Sequence, residues 1–518
     1  MSEQQPRQVT LASGQSSGFG GRDTGHVIGL GMFLLAAMAI ALLWQSLWGV
    51  VTAAALAGIG LLLFTPFDLL GGATLMGILL RDMRFRRRRH TGLAVFEPGE
   101  PARPRWGKAK GRARIVPDWL GVVRVVDVDV AAAGGAGEVC VLIHRPADGT
   151  AYATVALEVE NGGGGVQSPA DTDAEYARFG RAKARLARQE SLVRVIQQIE
   201  RVQPATAARH ESWLSNVVPH TVDRVLVDSY ANLLQRLTWN AETHRTVMVL
   251  RMPFSPAWQA RILDQYGTSN DFTNAQLAVH EASAAAAVMV STGGYRHCHP
   301  LSQRELAASI RACFSDAYGW DDTALAGPGE REVDLLSCWP AYTTQQGTVE
   351  VGGSRWLRTA EVVGSRLSAD PVPVTMLRDL VVGIYPAMVR TISIIEELVP
   401  AGQARQRAKS DTTSRIASAR AAGEVNDGSA ADQLTGAQIT LRDLKPSSGH
   451  GGDSWTAHIT VSGNSEAELN RACARLHGVC ADIGLPVRWM DKEQDLALAT
   501  TLPIGRGLKT TTQNWRMR

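Results

Sequence analysis

Residues 27–67 contain no Asp, Glu, Lys or Arg, and the apolar run is broken by polarity once, at Trp44-Gln45-Ser46. A single crossing of about 30 Å of hydrocarbon needs roughly 20 residues, so the run is too long for one span. The pattern predicts two, at Val27–Leu43 and Leu47–Phe64, joined by a tight Gln45-Ser46 turn within a transmembrane hairpin over 26–67. Trp44 and Trp48 flank the turn, where indoles favour the membrane–water interface. The next apolar stretch, Leu69–Leu80, is too short to span; it either lies at the interface or closes the second helix.

Beyond the hairpin the period changes. Gly121–Val130, Glu138–His144 and Ala151–Val159 are Val-rich runs separated by Gly-rich turns, which predicts three strands in a small β-rich module over 115–165. Asp171–Glu200 has helical periodicity and few breakers. Strand patterns at Arg245–Met252, Arg390–Leu398, Ser454–Val461 and Pro486–Met490 alternate with helical ones at Asn270–Ser291, Leu301–Ala317, Ala401–Ala422 and Ser465–Ile483. The predicted class is α+β: a two-helix transmembrane hairpin followed by cytoplasmic α/β sandwich-type domains over 166–508, with ferredoxin-like units among the options. Residues 1–25 and 509–518 read as tails, 68–114 as a basic juxtamembrane segment and linker, and 423–452 as a mobile polar loop.

Charge sets the orientation. Segment 81–114 carries twelve Lys or Arg against three Asp or Glu, a net of +9, more than the +3 of the whole 518-residue chain. The hairpin turn has no charge. Positive flanks stay inside, so both termini are expected in the cytoplasm of a multi-pass protein of the inner membrane. The same cluster, Arg84, Arg86, Arg87, Arg88 and Arg89, is the candidate contact for anionic lipid. Nucleic acid contact by this segment or by the basic helix at Ala401–Ala422 is compatible with the charge but not indicated by it. Six scattered cysteines without CxxC spacing read as reduced packing residues.

Candidate chemistry is sparse. No GxxxxGK[ST] phosphate loop occurs, and Gly505–Thr511 has its residue types in the wrong spacing. Val122–Asp129 has the form of a strand leading to a magnesium-binding Asp, a pattern common without function. His297-Cys298-His299 is the densest set of metal-type ligands, but consecutive residues do not all face one ion and packing is the favoured reading. His280-Glu281 lacks the second His of a metalloprotease helix. Gly14-Gln15-Ser16-Ser17-Gly18 is a GxSxG string in a polar tail rather than at a strand–helix elbow. The expectation is no catalytic residue, no cofactor and no metal.

The layout resembles a family of actinobacterial membrane proteins of conjugation and type IV secretion, with a PrgI-like two-span domain fused to a region similar to the amino-terminal, non-motor part of the type IV secretion ATPase. The residues that carry the resemblance are Arg194-Val195-Ile196-Gln197-Gln198, Tyr385–Val399 with Ala401–Arg407, Ser454–Val461, Glu466–Ile483 and Leu502-Pro503-Ile504-Gly505-Arg506-Gly507-Leu508. The resemblance spans about 27–508 and rests on the order of these strings. It implies a non-enzymatic scaffold in an oligomeric assembly with other secretion subunits, and a motor ATPase on a separate chain, because the sequence stops where the motor would begin. By position, Leu485, Pro486, Trp489, Leu502, Pro503 and Ile504 are the expected partner contacts, with core packing the competing role for Trp489. The hairpin fits a two-span subunit of type VII secretion machinery equally well; the basic helix and the final strand–helix–strand fit it less well. A membrane-tethered enzyme is the reading from a different class, and it lacks a nucleophile, metal set or cofactor loop.

Overall fold

The computed structural model describes residues 8–9, 24–67, 73–102, 113–130, 137–146, 149–161, 168–188, 190–205, 223–238, 241–314, 335–364, 367, 372–384, 386–400, 452–507 and single positions between 402 and 413. Within these, the chain is a mixed α+β protein built on one large antiparallel sheet. Two apolar helices come first, α1 (Thr24–Leu43) and α2 (Leu47–Phe64), followed by the basic helix α3 (Leu75–Thr91).

The sheet contains β1 (Val95–Phe96), β2 (Val122–Asp129), β3 (Glu138–Arg145), β4 (Tyr152–Asn161), β5 (Val195–Pro204), β6 (Glu242–Pro253), β7 (Tyr295–Pro300), β8 (Tyr342–Thr344), β9 (Val349–Val351), β10 (Arg355–Val362), β11 (Arg390–Val399), β12 (Gly452–Gly463) and β13 (Val487–Trp489). Their order is β1-β8-β9-β10-β12-β11-β5-β6-β4-β3-β2, with β7 beside β4 and β13 beside β10. The three strands expected as a separate module therefore share this sheet: Tyr152–Val159 of β4 pairs with Pro253–Thr246 of β6.

Both faces of the sheet are covered, which explains why β3 is buried along nearly its whole length instead of alternating. Val139, Val141 and Ile143 face one core, closed by α4 (Pro169–Leu186), α6 (Pro256–Tyr266) and α7 (Asp271–Val288), while α5 (Arg224–Thr238) lies between β5 and β6 in sequence. Cys140 and Leu142 face the other, closed by α8 (Gln303–Phe314) and the carboxy-terminal segment with Leu498, Leu502 and Ile504. A third core lies under α9 (Glu466–Asp482), whose Leu469, Ala472, Cys473, Leu476 and Cys480 recur at helical spacing against Ala457, Ile459 and Val461 of β12.

The predicted strands and helices recur within a few residues, with one clear exception. The helical reading of Asp171–Glu200 ends too late: α4 stops at Leu186 and Val195–Glu200 belongs to β5. Val195-Ile196-Gln197-Gln198-Ile199 satisfies a helical spacing in isolation, but β5 pairs along its length with β6 and β11, and its β-branched residues fill both faces. Of the polar loop expected at 423–452, Gly452 is the first residue of β12 and the rest lies outside the described residues, as does most of the Ala401–Ala422 helix.

At the end of the chain, β12, α9 and β13 form a strand–helix–strand whose two strands flank β10: Ala360 pairs with Ile459 on one side and Trp489 on the other. Arg390 on β11 is fully buried and clasps Glu242 of β6 with two hydrogen bonds of 2.7 and 2.9 Å across the intervening β5. It also donates to the Leu380 and Val381 carbonyls at 2.9 and 2.6 Å, so the buried charge is well satisfied.

Candidate membrane anchor and its junction with the carboxy-terminal segment

α1 and α2 are joined by three residues and pack side by side. Gly60 faces Phe33 so closely that a Cβ would stand 2.7 Å from it, and Gly29 faces Phe64 at 2.6 Å. Small residues at these two points let the backbones approach, and the Phe33 and Phe64 rings meet at 5.8 Å. Away from that seam the side chains point outward: Met32, Leu35, Leu42, Leu43, Leu47, Leu61 and Leu62 are exposed, and so are Trp44 and Trp48 at the turn. Among the described residues, one helix, Leu47–Phe64, is both long and apolar enough to cross a membrane; the apolar stretch Gly29–Leu43 is shorter.

A two-stranded turn, Pro66–Phe67 against Ala73–Thr74, brings the chain back so that α3 starts beside the end of α2. Thr74 caps α3 by accepting from the Gly77 N–H at 3.1 Å. Gly92, with φ 78°, closes its other end through N–H bonds to the carbonyls of the last turn, where Arg88, Arg89 and His90 complement the helix dipole.

The arginines of α3 divide between two faces. Arg88 turns inward and grips Asp495 with both guanidinium nitrogens, one at 2.9 Å, and Asp495 is 1% exposed. Arg81 lies 3.5 Å from Glu493, and Lys492 donates to Asp82 at 2.7 Å. The Lys492 hydrogen bond holds the Asp82 carboxyl below its ordinary range, helped by the charges of Lys492 and Arg86. Phe85, between these pairs, is buried. Arg86, Arg87 and Arg89 are exposed and Arg84 is half-buried. The expectation that all five arginines face lipid is thus corrected at Arg88, whose charge is committed to a buried carboxylate.

The partner of α3, residues 490–507, runs over the sheet and is fastened by side chains in place of a neighbouring strand. Gln494 accepts from the Thr359 N–H at 2.7 Å and donates to its carbonyl at 3.3 Å. Gln197 of β5 donates to the Thr500 and Leu502 carbonyls at 2.8 and 3.1 Å and accepts from the Gly505 N–H at 2.9 Å. Gly505 and Gly507 both have positive φ, and a Cβ on them would meet Thr154 at 2.6 Å and Ile395 at 2.1 Å. These glycines therefore serve close approach to the sheet.

Under this segment sits a buried cationic group. Arg506 donates to the Leu120 carbonyl, and Arg251 donates to the Gly507 carbonyl at 3.3 Å and lies 4.8 Å over the Tyr152 ring. His144 stacks on Tyr152 at 4.6 Å, and its Nε2 is 3.3 Å from Thr154 Oγ1. Burial, then the charges of Arg506 and Arg251, push the His144 imidazole well below its ordinary pKa, so it is neutral.

Four of the six expected partner contacts are corrected here: Leu485, Leu502, Pro503 and Ile504 are buried. Leu502 and Ile504 belong to the core beneath the sheet, and Leu485 belongs to the core under α9. Pro486 and Trp489 are half-buried, and Trp489 carries Arg358 over its ring at 4.7 Å. Apolar character near the end of a chain reads alike for a core and for an interface, and here the core takes it. His297, Cys298 and His299 lie on β7, where Cys298 packs toward the core and both imidazoles are exposed. Among the described residues no group of three or more His, Cys, Asp or Glu is placed to hold a metal.

The reading from sequence missed Gln197, Gln494 and Asp495. The available signal was the acidic run Asp491-Lys492-Glu493-Gln494-Asp495, a charge complement to Arg81–Arg89. No protein-family model and no curated protein matches the chain.

Proposed function

We propose that this chain is a non-enzymatic scaffold of the inner membrane, belonging to a type IV secretion or conjugation apparatus and engaging its motor ATPase. The observation that carries the membrane part is the pair α1 and α2, which leaves large apolar side chains and two tryptophans exposed along adjacent helices while the sheet behind them has both faces covered. A surface of that kind calls for an apolar solvent. Both helices then act as a transmembrane hairpin with the two termini in the cytoplasm. α3 couples this anchor to the sheet through Arg88, Arg81 and Asp82. The secretion assignment is supported by the resemblance, by the order of elements along the chain, and by the split strand–helix–strand at β12, α9 and β13, which suits a ferredoxin-like unit.

Two measurements test this. In a Cys298→Ser background, where the other five cysteines are buried, a cysteine at Gln45 labels from outside intact cells with an impermeant thiol reagent and one at Ser13 does not. The reverse pattern overturns the orientation, and release of the chain by alkaline carbonate overturns the membrane anchor. Affinity purification in mild detergent from the native host is expected to bring down a secretion ATPase. Recovery with a type VII secretion complex instead would reassign the apparatus.

A further inference from the structure

The two faces of α3 have different chemistry, and the outer one has a character its charge alone does not give. Leu79, Met83, Arg86, Arg87 and His90 are spaced three or four residues apart and share one side of the helix. Leu79 is 57% exposed, Met83 60% and the Arg86 side chain 75%. Apolar side chains occupy the half of this face nearest α2, and the cations occupy the far half. The opposite side pairs Arg81 with Glu493 and Arg88 with Asp495, and Phe85 on that side is buried.

We infer that the outer face of α3 seats on the anionic lipid headgroups of the leaflet in which α2 ends, with Leu79 and Met83 entering the interface and Arg86 and Arg87 meeting lipid phosphates. This rests on the membrane reading above. The occupant follows from position and charge: α3 packs against α2, so the Leu79 end of its free face adjoins the helix read as entering the bilayer. An apolar half beside a basic half suits a headgroup boundary, whereas a polyanion groove has no use for exposed Leu and Met. Arg86 also touches Asp82 at 2.8 Å, but Asp82 is shared with Lys492, which leaves the outer face cationic.

The test uses the full chain in lipid nanodiscs, carrying Cys298→Ser and a nitroxide on Met83→Cys. Accessibility of the nitroxide to a water-soluble relaxation agent is compared between discs of phosphatidylcholine and discs containing phosphatidylglycerol. The label is expected to be shielded in the anionic discs, exposed in the neutral ones, and released by raised salt. Arginine near an anionic surface contributes about 1 kcal/mol, so Arg86→Gln with Arg87→Gln lowers the shielded-to-exposed ratio roughly 30-fold. Lysine at both positions retains most of it. Equal accessibility in both discs overturns the inference while leaving the anchor intact. Loss of the chain from both discs overturns the anchor and the inference together. Shielding by added duplex DNA but not by anionic lipid assigns the face to nucleic acid and overturns the lipid contact.

Discussion

Arg88 on α3 and Asp495 form a two-pronged ion pair that joins the basic helix to the segment at 490–507 across the chain. Because Asp495 is buried, the value of the pair is asymmetric. Breaking one side leaves a charge without compensation, which costs about 3–5 kcal/mol, whereas replacing both sides with apolar residues costs far less. Arg88→Met is therefore expected to destabilise strongly, and Arg88→Met with Asp495→Leu to recover most of the loss. Thermal denaturation of the detergent-solubilised chain measures both, and an additive double variant would refute the coupling.

Gln197 offers a second test. Its amide satisfies two carbonyls and one N–H of residues 500–505; Gln197→Leu takes this partner from the Thr500 carbonyl and the Gly505 N–H, while the Leu502 carbonyl keeps the Ile504 N–H at 2.8 Å. Each lost partner costs about 1–3 kcal/mol, less where the backbone relaxes toward water. The expected result is faster amide exchange at 499–507 with the rest of the sheet unaffected. Unchanged exchange there would show that packing alone holds the segment.

His144 makes stability depend on pH. Its folded pKa lies well below the ordinary value of about 6.5, so below that pH the unfolded chain takes up a proton that the folded one does not. Its contribution is present above pH 6.5 and falls as pH drops toward the folded pKa, by about 1.4 kcal/mol per pH unit. His144→Gln should remove this slope in denaturant titrations between pH 6.5 and 5, and a slope that persists would point to another group.

Truncation after Gly484 is expected to disrupt the fold rather than sever a partner contact. It deletes Leu485, Leu502 and Ile504, each of which contributes to a core. Leu502→Ala alone should cost about 2–5 kcal/mol. A Gly484 truncation with native circular dichroism and an unchanged melting temperature would reverse this assignment.

Much of the architecture was readable because its signals are local. The Val-rich runs that became β2, β3 and β4 sit between Gly-rich turns, α7 is a long Ala-rich run and α9 has apolar residues at helical spacing, with Asn270 and Ser465 as their caps. Two things were not readable, for one reason. Assigning Val195–Glu200 to a strand depends on β6 and β11, and assigning Leu502 and Ile504 to a core depends on the sheet they cover. Arg88 belongs with these: nothing in a run of arginines marks the one that meets Asp495, because that choice is made by the helix face that the third dimension turns inward.

The 407 positions separating Arg88 from Asp495 also impose an order of events. α3 leaves the ribosome early, yet its inner face has no carboxylate to meet until almost the whole sheet has been made. Sheets rich in such remote pairings close slowly. Until residues 492–495 have been made, Arg81 and Arg88 have none of the carboxylates that pair with them in the folded chain. A chain stalled shortly before residue 490 would therefore carry α1, α2 and α3 complete but their junction with the sheet unfinished.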